Sequence, residues 1–240
     1  RSTQGVSSAA SDVYKRQLVS GEPAIRQKLI TIKVGDFLPG REYRVPVRMI
    51  VPAKGKATGF HLTGGHTPSS LERGAPTRGV DAGLLKGGVG LVQTVVQVLQ
   101  QSGQRELGQA AEREFIKTLN PRYSIQYWGW PATLMRAVTA AYAEKDHFKK
   151  GKVAMSGGSK NGATPSCAIL HDDRMTAVFG AVSPIWDSPL RLNDDQAWKQ
   201  LRAQGGRSGG FTGGHFGPNF NRRVLASGGH RPRLHHVDAR

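Results

Sequence analysis

The sequence holds one cysteine, Cys167. An internal disulfide framework and a cysteine-rich zinc site are therefore excluded. No apolar run approaches the roughly 18–20 residues that cross a bilayer as a helix, and no secretory signal is visible at the start. No G-x-x-x-x-G-K-S/T phosphate loop occurs. The "GGVG" at 87–90 lacks the third glycine of a dinucleotide fingerprint and opens a strand instead of a helix. Acidic residues are scarce: 17 Asp and Glu face 34 Lys and Arg, for a net charge of +17. The basic residues are scattered, with no dense Lys/Arg block interleaved with aromatics. The surplus reads as the basic surface of an enzyme, with no specific nucleic-acid partner, although such a charge attracts polyanions nonspecifically.

What is present is a chain of 240 residues, 38% hydrophobic, enough to build one sizeable core. Its two ends differ from its middle. Residues 1–17, "RSTQGVSSAASDVYKRQ", are small and polar without periodicity. They read as a disordered or non-native leader, like translated adapter sequence in a metagenomic fragment. Residues 222–240, "RRVLASGGHRPRLHHVDAR", are rich in Arg and His and nearly free of an apolar pattern. They read as a frame-shifted or disordered basic tail. His230, His235 and His236 within it lack the second cluster that a metal site needs. The folded domain is expected over 18–221.

Within that span, "LITIKV" (29–34) and "YRVPVRMIV" (43–51) read as strands from their β-branched content and alternation. "ATGFHLTGGHTPS" (57–69) reads as a strand running into a Gly64–Gly65–His66 turn. The apolar run "GVGLVQTVVQVL" (88–99) predicts a strand buried on both faces. Residues 108–119 place Ala111, Phe115 and Leu119 on one helical face, and Asn120–Pro121 ends that helix. Pro131 opens a helix over 132–143. "KVAMS" (152–156) is a strand, 163–170 a helix, "MTAVFGAVS" (175–183) a strand, and 194–203 a short helix. Strands alternating with helices at crossover length predict an α/β class with a mainly parallel sheet flanked by helices. About six strands are legible before the pattern weakens, so the sheet is expected to be truncated.

The chemistry concentrates in "AMSGGSKNGATPS", residues 154–166. A serine hydroxyl becomes a nucleophile when it is exposed, beside a base and beside donors that hold an oxyanion. A sharp strand–turn–helix connection supplies the exposure and aims the next N–H at the developing charge. Such a turn needs small residues around the serine. Gly157 stands two before Ser159 and Gly162 three after, but Asn161 replaces the glycine of a strict G-x-S-x-G pattern. The alternative is a glycine turn with Ser159 capping the following helix.

"SGGSKNG" resembles the G-x-S-K/R-x-G nucleophile elbow of the PhoPQ-activated pathogenicity-related proteins, an α/β-hydrolase family. It is also similar to the G-C-S-R-N-G elbow of the glucuronoyl esterases. "AVSPIWDSPLRLND" (181–194) is the other specific part of the resemblance. The resemblance implies an α/β-hydrolase-like fold with Ser159 as nucleophile and the Lys160 N–H in the oxyanion hole. It places the second oxyanion donor at the turn of Gly64 and Gly65. It implies a serine esterase that works through an acyl-enzyme on a small-molecule or carbohydrate ester, without a cofactor or membrane partner, in a secreted or periplasmic setting. The rival readings are a catalytically inactive hydrolase-like binding protein and a basic nucleic-acid-binding protein. In this fold the acid and histidine follow the serine. Asp187 and His215 are the candidates within the chain, and partners beyond residue 221 are the alternative. Trp128, Trp130 and Trp186 are read either as cleft walls or as buried aromatics.

Overall fold

The structure is a computed structural model that describes residues 17–19, 24–71, 79–100, 103–158 and 160–181. The chain divides into two compact units, Arg1–Val182 and Ser183–Arg240, and the described residues all lie in the first. The predicted helix at 194–203 and the basic tail fall outside them.

Seven strands form one sheet: β1 (Gln17–Val19), β2 (Ile25–Leu38), β3 (Arg41–Pro52), β4 (Ala57–Thr63), β5 (Gly90–Thr94), β6 (Phe148–Gly158) and β7 (Ala177–Ala181). Their order is β1-β2-β3-β5-β4-β6-β7. The first three pair antiparallel, and β3 pairs antiparallel with β5. β4 then pairs parallel with β5 and with β6, and β6 parallel with β7. Without the short β1, the remaining six strands follow the α/β-hydrolase arrangement. The antiparallel β3 sits second among them, and β6 is the fifth in chain order. The expected α/β sheet flanked by helices is therefore present. Its antiparallel half comes from the long β2–β3 hairpin, which turns at Gly40, a glycine with φ of 69°.

Helices cover both faces: α1 (Pro68–Leu71), α2 (Val80–Lys86), α3 (Arg105–Thr118), α4 (Trp130–Ala143) and α5 (Lys160–Ile169). Helix α4 buries Trp130, Leu134, Ala137, Val138 and Ala141, a stripe at helical spacing. That stripe joins a core with Tyr43, Phe60, Leu62, Val92, Val153 and Met155. Each large side chain buried there contributes about 1.5–3 kcal/mol relative to exposure. Within this core the buried Tyr43 and Thr133 hydroxyls hydrogen-bond at 2.9 Å. The opposite face has a smaller cluster of Ile25, Ile50, Leu85 and Leu91, with Leu85 supplied by α2.

The run 88–99 is not one strand. It splits into β5 and a 3₁₀ turn over Val96–Gln100. At Val95 the chain leaves β5 through an isolated bridge to Gly65. Val95, Val96, Val98 and Leu99 stay buried inside the turn. An uninterrupted apolar run records burial, and burial is the same for a strand and for a turn packed beneath helices.

Candidate functional site

Parallel pairing brings the C-terminal ends of three strands to one edge. Thr63 of β4 registers with Gln93 of β5 on one side and with Ser156 of β6 on the other. The Gly64–Gly65–His66 turn therefore leaves the sheet beside the segment that follows β6. Strand β6 ends at Gly158 and α5 begins at Lys160, so position 159 is the one residue between strand and helix. Ser159 itself lies outside the described residues, as does the Lys160 side chain. The Lys160 backbone opens α5, where the first N–H groups of a helix have no partner within it.

The crowding at the β6–α5 junction is measurable at Gly157. A Cβ there would stand 2.0 Å from the Asn161 carbonyl oxygen and 2.5 Å from the carbonyl carbon. Only glycine fits while the first turn of α5 lies across the end of β6. Gly180 of β7 likewise makes room, since a Cβ there would meet the Gly162 carbonyl oxygen at 3.3 Å.

Gly65 stands on the other side of the same edge. The bridge to Val95 is held by His66 N–H donating to the Thr94 carbonyl at 3.4 Å and Val96 N–H donating to the Gly64 carbonyl at 3.0 Å. In that antiparallel pattern Gly65 is the residue whose own N–H points away from β5. The other neighbour of β4 in the sheet is β6. The side chain of Asn161 reaches the same place: its Nδ2 lies 3.2 Å from where a Gly65 Cβ would be. Its Oδ1 accepts a hydrogen bond from Gln97 Nε2 at 3.1 Å. Asn161 thus contacts elements from all three strand ends, which local sequence did not disclose. The available signal is its place where a strict G-x-S-x-G pattern has glycine.

A second polar group lines the sheet face away from the main core. His61 Nε2 and Ser156 Oγ lie 2.8 Å apart, and His66 Nε2 and Thr63 Oγ1 lie 2.7 Å apart. The alternation of "FHLT" places His61 and Thr63 opposite Phe60 and Leu62. Burial pulls both imidazoles below their ordinary pKa, and the Asp81 carboxylate only partly offsets it. Both rings are held towards their neutral form near pH 7.

Asp187 and His215 lie outside the described residues, as does Trp186. Trp130 is a core residue at 2% exposure, and the Trp128 ring packs against Phe37 with centroids 5.1 Å apart and planes tilted by 43°. Asp172 follows the C-terminal end of α5, the end away from its junction with β6. Burial alone would raise its pKa, but hydrogen bonds and charge from Arg174 hold it below the ordinary carboxylate value. Among the described residues no group of three or more His, Cys, Asp or Glu could hold a metal ion. No described helix is long and apolar enough to cross a membrane.

No protein-family model and no curated protein matches the chain. Among solved structures, it is similar to a CE15 glucuronoyl esterase from Teredinibacter turnerae T7901. That match has 13% identity and a TM-score of 0.49, over 71% of this chain and 44% of that one. A glucuronoyl esterase from Solibacter usitatus matches at 20% identity and a TM-score of 0.44, over 69% of this chain and 49% of that one. Candida antarctica lipase A in its closed state matches at 16% identity and a TM-score of 0.41, over 69% and 40%. The chain spans less than half the length of each of these three proteins.

Proposed function

We propose that this chain carries the nucleophile elbow of a serine hydrolase that cleaves an ester. The observation that carries the reading is the junction of β6 and α5: one residue, Ser159, separates a strand from a helix, with Gly157 forced by the helix backbone crossing above it. In this reading the Ser159 hydroxyl attacks the ester carbonyl and its proton passes to a histidine base. The alkoxide formed at the carbonyl is held by the N–H groups of Lys160 and Gly65. The intermediate collapses, the alcohol leaves with that proton, and an acyl-serine remains. Water, deprotonated by the same base, then releases the acid. His215 and Asp187 are the candidates within the chain for base and acid. A carbohydrate ester is the favoured substrate class, because the Ser159–Lys160–Asn161–Gly162 order resembles the serine, basic residue, asparagine and glycine of the glucuronoyl esterase elbow.

The test is labelling of the intact protein with a fluorophosphonate, together with hydrolysis of a simple aryl ester. Ser159→Ala is expected to abolish the labelling and to lower turnover by a factor on the order of 10⁶. Undiminished labelling or turnover in that variant would remove Ser159 from the mechanism.

A further inference from the structure

Resting on the reading of Ser159 as nucleophile, we infer that Asn161 is a positioning residue that sets the spacing between the two oxyanion donors, and that Gln97 acts through it. The two donors sit on different elements. The Lys160 N–H belongs to the first turn of α5, and the Gly65 N–H belongs to the turn after β4. Among the described residues no strand pairing joins those two turns directly: the β4–β6 register ends at Thr63 and Ser156. Beyond it, the link across the gap is the Asn161 carboxamide. Its Oδ1 accepts from Gln97 Nε2 at 3.1 Å, which turns the Nδ2 edge towards Gly65, where it lies 3.2 Å from the Cβ position that glycine leaves empty.

Gln97 is well placed to act as an anchor. It stands in the 3₁₀ turn after β5, between the buried Val96 and Val98. The preceding bridge fixes that turn to Gly65 by the Val96–Gly64 hydrogen bond. The loop is therefore closed: the Gly65 turn joins the segment after β5 by backbone, Gln97 of that segment holds Asn161, and the Asn161 amide edge lies beside Gly65. Catalysis by paired donors depends on where they point before charge develops, and displacement of about 1 Å can cost roughly 100-fold in rate. Asn161 is adjacent in sequence to Lys160, so a shift of its carboxamide is transmitted to the N–H next to the nucleophile. This gives the residue that breaks the G-x-S-x-G pattern a task that glycine could not perform.

The experiment uses the intact protein with a simple aryl ester and a boronic acid that mimics the tetrahedral intermediate. Gln97→Glu keeps the shape but removes the N–H donor, and Asn161→Ala removes the carboxamide. Each is expected to lower kcat about 10- to 100-fold with KM within about 2-fold, and to weaken boronic acid binding by the same factor as kcat. The double variant is expected to be no worse than Asn161→Ala alone, because both changes break one path. Unchanged kcat in Gln97→Glu, losses that appear only in KM, or losses that multiply in the double variant overturn the inference. A wild-type protein that neither turns over the ester nor takes a fluorophosphonate label overturns the serine-hydrolase reading itself, and the inference with it.

Discussion

The carboxamide of Asn161 stands 3.2 Å from the point where a Cβ on Gly65 would lie. Two features of the strand ends therefore explain each other. Asn161 has a side chain where a strict G-x-S-x-G pattern calls for glycine, and the facing turn has a glycine that leaves room for it. The pair predicts compensation. Gly65→Ala puts a methyl group against the amide, which Gln97 holds in place, so ester turnover is expected to fall about 10-fold or more. Adding Asn161→Gly empties the space, so the double variant is expected to lose less turnover than the two single losses multiplied together. Coupling between contacting residues is commonly 0.5–3 kcal/mol, about the size needed. Strictly additive losses in kcat/KM would show that the two positions do not compete for the same space.

Gly157 and Gly158 are neighbours with different constraints. A Cβ on Gly157 would meet the Asn161 carbonyl oxygen at 2.0 Å, whereas one on Gly158 finds nothing nearer than the Ala181 carbonyl oxygen at 3.9 Å. The obstacle at Gly157 is backbone and cannot rotate away. Gly157→Ala is expected to cost about 1–3 kcal/mol, as overpacking does, and to displace the start of α5. Gly158→Ala is expected to stay within about 0.5 kcal/mol. Thermal unfolding of the two variants side by side checks this, and equal shifts in Tm would contradict it.

A third glycine sets two effects against each other. Gly108 lies inside α3, where alanine is a better helix former by about 1 kcal/mol. Yet a Cβ at this position would stand 2.1 Å from the Leu99 carbonyl oxygen. Separating α3 from the 3₁₀ turn would disturb the buried Leu99 and Leu107. The clash should outweigh the propensity, so Gly108→Ala is expected to lower stability by about 1–2 kcal/mol. Chemical denaturation that shows this variant to be more stable than the parent would mean the contact relaxes freely.

Much of the architecture was legible in local pattern. The strands at 57–62 and 152–156, the helix at 132–143 and the strand-to-helix change around Gly157 and Gly158 all appear as read, with boundaries moved by a few residues. Each is signalled within about a dozen residues by alternation, helical spacing or paired glycines. Helix α2 was missed because Gly83 interrupts it and Gly79 and Gly87 flank it within seven residues, which leaves no apolar period to count. The Gln97–Asn161 hydrogen bond joins residues 64 apart. It depends on β5 lying next to β4 in the sheet, and nothing near either residue records that order. His61 and Ser156 meet for the same reason, across a parallel pair 95 residues apart. Side chains that face one another across strand ends are specified by topology, which is why these contacts stayed hidden while the glycine-rich junction of β6 and α5 did not.

The buried imidazoles predict how stability follows pH. His61 and His66 have folded pKa values pulled below 6.5 by burial, while the unfolded chain titrates near its ordinary value. As pH falls below about 6.5 the unfolded state takes up protons first, so the stability these two residues provide is present above that pH and is lost towards their folded values. Glu112 opposes them. Burial raises its carboxyl to about 7, against 4.5 for the free side chain. It is protonated in the folded protein while still ionised in the unfolded chain, so it adds stability as pH falls from about 7 towards 4.5. Between pH 7.5 and 5.5 the two histidines therefore lower stability on acidification while Glu112 raises it, and substitution separates the two components. Replacing both histidines with Gln removes the falling component, and Tm is then expected to rise on acidification. Adding Glu112→Gln should flatten the profile. Calorimetry on the three proteins at matched ionic strength reads each slope directly. A parent slope that persists in the double-histidine variant would place the responsible groups elsewhere in the chain.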